Sequence, residues 1–156
     1  MQTLNVRAGQ TQEEYQAAEE RRREDLRAES QAEAGYFFWA AGLAALGTGL
    51  LPIRINGIVS VGVFELVRVY GGSLGNLYSL VLYAVAAVWV IVLIGLGFAA
   101  RSGQRWAFLS GMALYAADMI GLIMMFSIWA FGVHAFFLFR WYQGQKALQG
   151  LQQATP

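Results

Sequence analysis

The sequence predicts an all-α polytopic integral membrane protein. Four transmembrane helices are joined by a short peripheral or re-entrant helix and preceded by a polar N-terminal helix. Three observations predict this. Hydrophobic residues make up 57% of the 156 and charged residues only 13%, against about 25% charged in soluble domains. Most of the charge is crowded before residue 31, which separates a wet tail from an apolar body. That body divides at turn signals into apolar runs, the longest being the uncharged stretch 77–100. At ~1.5 Å per residue this run is long enough to cross a ~30 Å hydrocarbon core with tilt.

The length fits one domain. A net charge of +1 with no dense basic patch argues against a nucleic-acid partner. The absence of cysteine excludes disulfides, thiolate metal sites and thiol catalysis, and leaves the redox compartment open. The first 34 residues mix acids and bases without an apolar core, so no secretory signal is visible and targeting falls to an internal helix.

In chain order, residues 1–10 are a loose terminus. Thr11 and Glu14 match a capping box, which starts a helix at Gln12. Good helix formers continue to Ala34, with Glu19/Arg23 and Arg21/Asp25 spaced to pair across a turn. Apolar residues there are too few for a buried face, so a solvated charged cytoplasmic helix is expected, with a partner-docking handle as the alternative. The first span covers 35–53. Tyr36 and Trp39 suit the headgroup level. Ala41, Ala45 and Gly49 form a small-residue stripe for close helix packing. Pro52 and Asn56-Gly57 end it.

Residues 58–70 are too few to span and carry Glu65 and Arg68, which predicts a short interfacial or re-entrant helix rather than a strand with unpaired backbone. Spans follow at 77–100, 106–126 and 128–142. Residues 143–156 are a tail that prolongs the last helix along the membrane surface. Trp89 lies mid-span and reads as a packed core residue.

Loop charge gives orientation. If 58–70 does not cross, nine of the eleven basic residues share one side, leaving Arg54 and Arg68 opposite; if it crosses, the split is six to five. The first arrangement predicts four spans in a bacterial inner membrane, with both termini cytoplasmic.

The segment Trp106–Tyr142 is a helical hairpin turning near Phe126 and Ser127. Antiparallel helices then pair residues whose numbers sum to about 252, which sets Asp118 level with His134. Intramembrane ionisable groups face a partner or a cavity. The pair, with Tyr115 one turn away, suits a proton relay, a cation ligand, or an Asp counter-ion to a protonated His. It equally suits a structural hydrogen-bonded clasp.

His134 alone offers a haem or chlorin ligand, and a single histidine rules out bis-His ligation within one subunit; no cofactor is expected. Met124 and Met125 read as packing. Ser127 and His134 are about 10 Å apart on one helix, too far for a dyad. With no metal cluster, nucleophile elbow or phosphate loop, no catalysis is expected. Arg54, Glu65 and Arg68 form an outer polar cluster, either a surface ion pair or a vestibule leading to Asp118.

The motif Gly111-x-x-Leu114-Tyr115-Ala116-x-Asp118, followed by a tight turn and His134-x-Phe136, resembles the C-terminal hairpin of small bacterial four-helix membrane proteins of uncharacterised function. The resemblance implies no activity; it implies that Asp118 and His134 act as a unit.

The expected function is a non-enzymatic membrane component. It would be a structural or accessory subunit, as a homo-oligomer or with other membrane subunits, and the lipid bilayer would be its constant partner. The alternatives are a small proton- or cation-conducting transporter using Asp118 and His134, and a pigment- or haem-binding subunit.

Overall fold

The computed structural model describes residues 11–49, 75, 77–124 and 128–153; the side chains at 48–49, 121–124 and 128 lie outside that description. Among these residues there are four helices and no strand: α1 Gln12–Gly49, α2 Tyr78–Arg101, α3 Arg105–Met124 and α4 Ile128–Gln153. The segment 58–70, with Arg54, Glu65 and Arg68, lies outside the described residues.

A reciprocal cap opens α1. The Thr11 N–H donates to Glu14 Oε2 at 3.0 Å, and the Glu14 N–H donates to Thr11 Oγ1 at 3.3 Å. The helix then runs 38 residues, ~57 Å, through the expected boundary at 34/35. Gly35 alone costs a helix only about 1 kcal/mol, and no proline follows it before residue 49. The polar helix and the first apolar run are therefore one rod whose surface changes character. A Schellman turn ends α2: Gly103, at φ 83°, donates to Ala100 O, and Gln104 N–H donates to Ala99 O. Nothing breaks the backbone after Tyr142, so α4 continues to Gln153.

Each helix packs on two others, α1 on α2 and α4, and α3 on α2 and α4. All four of these neighbours are antiparallel. Phe37 of α1 meets Gly97 of α2, whereas Ala44 clusters with Leu82 and Ala86. Arg105 of α3 reaches Gln152 of α4, and Leu26 of α1 meets Gly150. The result is an up-down-up-down bundle. Gly49 and Tyr78 lie at one end; the α2–α3 turn, the C-terminal turns of α4 and the N-terminal half of α1 lie at the other.

Phe37 is the centre of the core. It is fully buried, stacks on Trp141 of α4 with centroids 4.1 Å apart, and leans on Phe108 of α3 at 5.8 Å. Glycines make room for the rings. A Cβ at Gly97 would lie 3.0 Å from Phe37 and Phe38, one at Gly144 would lie 2.6 Å from Phe108, and one at Gly111 would collide with the Phe37 ring.

Two expectations about α1 need correction. Ala41 is buried but Ala45 is exposed, and the contacts of Gly49 lie outside the described residues. A strict four-residue spacing drifts about 40° per step around a helix of 3.6 residues per turn. The face that packs instead follows Ala34, Phe37, Ala40, Ala41 and Ala44. Nor is the polar half wholly solvated: Leu26 touches Gly150, and Ser30, Glu33 and Ala34 are buried. Beyond Leu26 the first turns of α1 stand clear of the bundle.

Candidate functional site

The short break between α3 and α4 brings Asp118 and His134 to one level. His134 Nε2 lies 2.7 Å from Asp118 Oδ2, and their side chains are 4% and 0% exposed. His134 Nδ1 lies 2.9 Å from the Ala130 carbonyl, one turn back on α4. A carbonyl only accepts, so Nδ1 carries a hydrogen and donates it. That assignment leaves one proton between Nε2 and Oδ2. On Nε2 it makes an imidazolium–carboxylate pair; on Oδ2 it makes a neutral imidazole accepting from a carboxylic acid. Both forms are neutral overall, which suits a site without water contact, because burying a net charge is costly. Removing the proton would set an imidazole lone pair against a carboxylate.

Tyr115 meets the pair through its ring, tilted over the His134 imidazole at 4.6 Å. Trp89 of α2 stacks beyond Tyr115 at 6.3 Å, and Phe137 and Trp141 of α4 meet Tyr115 edge-on at 5.9 and 4.7 Å. Sequence reading found Tyr115 and treated Trp89 as packing, but did not assign Phe137 and Trp141 to the enclosure. The available signal was helical spacing, since residues three and seven after His134 share its face. Ser127 and Met125 lie outside the described residues. Both ring nitrogens of His134 are engaged, so ligating a haem or chlorin metal would break one of these contacts. Among the described residues no three His, Asp or Glu side chains gather as a metal site.

A second ion pair, half-buried, was not foreseen. Arg140 Nη2 of α4 lies 2.8 Å from Glu33 Oε1 of α1, and the Arg140 guanidinium sits 4.5 Å from the Tyr36 ring centroid. Glu33 Oε2 and Arg140 Nε are buried without a partner. Predicting this contact required the register of α1 against α4, which stand far apart in the sequence. Desolvation raises the Glu33 pKa, Arg140 lowers it and Glu29 raises it again; the net direction is up.

A carboxylate with a raised folded-state pKa contributes stability that is present below its unfolded value and lost as pH rises through its folded value. Wild-type protein should therefore lose stability relative to Glu33→Gln as pH climbs from the acid side of the carboxylate range to neutrality. Paired thermal melts across that range in one detergent measure the slope. The opposite slope would mean that the Arg140 attraction outweighs desolvation.

No protein-family model, curated protein or solved structure matches this chain.

Proposed function

We propose that the chain is an integral membrane protein whose four helices cross the bilayer, with the charged end of the bundle in the cytoplasm. In this reading it serves as a non-enzymatic membrane component, a structural or accessory subunit or a homo-oligomer. The carrying observation is a belt of exposed large apolar side chains on all four helices. Trp39 and Leu46 lie on α1, Leu80, Val88, Ile91 and Phe98 on α2, Leu109 and Ile120 on α3, and Trp129, Phe136 and Phe139 on α4, with Trp129 79% exposed. Soluble monomers seldom expose contiguous apolar patches beyond a few hundred Å².

By composition, one helix among the described residues, Tyr78–Arg101, is long and apolar enough to cross. The case for the other three rests on that shared belt and on the level of the charges. Except for Asp118, every Asp, Glu, Lys and Arg among the described residues lies at or beyond the level where Glu33 meets Arg140. Trp39, Trp106 and Tyr142 are exposed near that level, and Tyr83 and Trp129 near the opposite end, as interfacial aromatics would be. Because Gly49 and Tyr78 share an end, α1 and α2 cross in opposite directions in this reading. Asp118 then lies ~20 Å along α3 from Arg105 and His134 ~9 Å along α4 from Arg140, well inside a ~30 Å core.

The lack of cysteine makes a topology test direct. Ser102→Cys should react with an impermeant maleimide only from the cytoplasmic face, and Leu77→Cys only from the outer face. Labelling of both from one side would end the four-span reading. Purification in mild detergent with mass spectrometry tests the role. A stoichiometric membrane partner supports an accessory subunit, a single-chain assembly supports the homo-oligomer, and a monomer alone opposes both.

A second reading, proton conduction, is favoured by the proton that Asp118 and His134 share across a buried 2.7 Å contact. Asp118→Asn in proteoliposomes should then abolish proton flux while the protein stays folded. Unchanged flux, or none in the wild type, removes that reading.

A further inference from the structure

The charged end of the bundle holds a pocket of about 480 Å³ between α1, the α2–α3 turn and the last turns of α4. Arg27 of α1 and Arg101 of α2 line it, and no Asp or Glu does. This is unusual for its surroundings, because the exposed part of α1 carries acids at six Glu positions and Asp25. Arg23 and Arg140 have carboxylates from α1, Glu19 and Glu33. Arg27 and Arg101 have none among the described residues.

The Arg101 guanidinium lies 4.6 Å from the Phe38 ring centroid. Such stacking engages the face of the group and leaves its in-plane N–H donors for an acceptor. The turn contributes shape rather than donors. The Ser102 hydroxyl and the Gly103 N–H already donate to Ala99 O and Ala100 O. Gly103 has no neighbour within 4 Å of where a Cβ would stand, which keeps that side open. Leu148 and Leu151 form an apolar wall beside the arginines.

Two guanidinium groups without a carboxylate in ion-pair contact match a compact anion with several acceptor oxygens. The apolar wall suits a ligand whose body is less polar than its head. We propose that this pocket binds a phosphate group, held by Arg27 and Arg101. The group can come from an anionic phospholipid of the cytoplasmic leaflet or from a water-soluble phosphate compound. The site stands on its own geometry; only the lipid source rests on the membrane reading.

The test uses the full chain in detergent with two probes, phosphatidylglycerol followed by native mass spectrometry and inorganic phosphate followed by thermal shift. Retention of phosphatidylglycerol that weakens about tenfold or more in Arg27→Gln/Arg101→Gln, the scale of one lost charge-assisted hydrogen bond, assigns the lipid source. A saturable rise in melting temperature with inorganic phosphate, lost in the same variant, assigns the soluble one. Arg21→Gln, outside the pocket, should leave either signal unchanged. Should the double variant fail to fold, Arg27→Gln alone and Arg101→Lys, which keeps the charge and the stem, report separately. Neither probe binding, or an equal loss in Arg21→Gln, overturns the proposal. A phosphate shift that survives failure of the cysteine topology test would leave the site intact and remove only the membrane reading.

Discussion

Asp118→Leu is expected to cost about 3–5 kcal/mol of stability, because removing one partner strands the other as a buried, unpaired polar group. His134 would keep its bond to Ala130 O and lose the partner of Nε2. Replacing both residues, Asp118→Leu with His134→Leu, should recover much of the loss, since neither member of the pair then strands the other. The coupling from that double-mutant cycle, read by unfolding in a single detergent, is the quantity to measure. Additive losses would show that the 2.7 Å contact contributes nothing beyond its two separate side chains.

Asp118→Asn behaves differently. Its amide can donate to Nε2 of a neutral imidazole, keeping a hydrogen bond while removing the mobile proton. A stability close to wild type would therefore leave any lost flux attributable to the proton rather than to the fold.

Phe37→Ala comes next, at about 3–5 kcal/mol, the usual cost of emptying a buried phenylalanine site. This ring reaches α2, α3 and α4 at once, stacking on Trp141 and filling the spaces left by Gly97 and Gly111. The cavity cannot close without moving helices that are fixed by other contacts. Gly111→Ala offers the converse test. In the wild type the new methyl meets the Phe37 ring, and overpacking costs about 1–3 kcal/mol. In a Phe37→Ala background that obstacle is gone, and alanine's helix preference of about 1 kcal/mol over glycine should make the change neutral or stabilising. Equal effects of Gly111→Ala in both backgrounds would mean that the glycine is not there to admit the ring.

Helix starts and ends were legible where a local signal was strong, as at the Thr11–Glu14 cap and the stop after Arg101. The level of Asp118 with His134 was legible because only three residues separate α3 from α4, so register follows from counting. The continuity of α1 was not legible. A change from polar to apolar surface resembles a boundary, yet backbone hydrogen bonding continues across it.

The α1–α4 contact was hidden for another reason. Around Glu33 its buried face is made of Ser30, Glu33, Ala34 and Gly144, which carry little hydropathy signal. Glu33 also looks like one more acid in a charged run until Arg140 is brought against it.

The sequence by itself determined the all-α class, the division into a charged end and an apolar body, and the isolated Asp–His couple, because each is written in residue type and spacing along one helix. Only the tertiary structure decided which apolar residues face inward, that Phe37 is the hub, and that Arg27 and Arg101 share a pocket without a carboxylate. The physical reason is that, in the apolar segments, exposed and buried faces alike carry large apolar side chains. Hydropathy then distinguishes neither, and the choice falls to shape, with rings seated where glycines leave room.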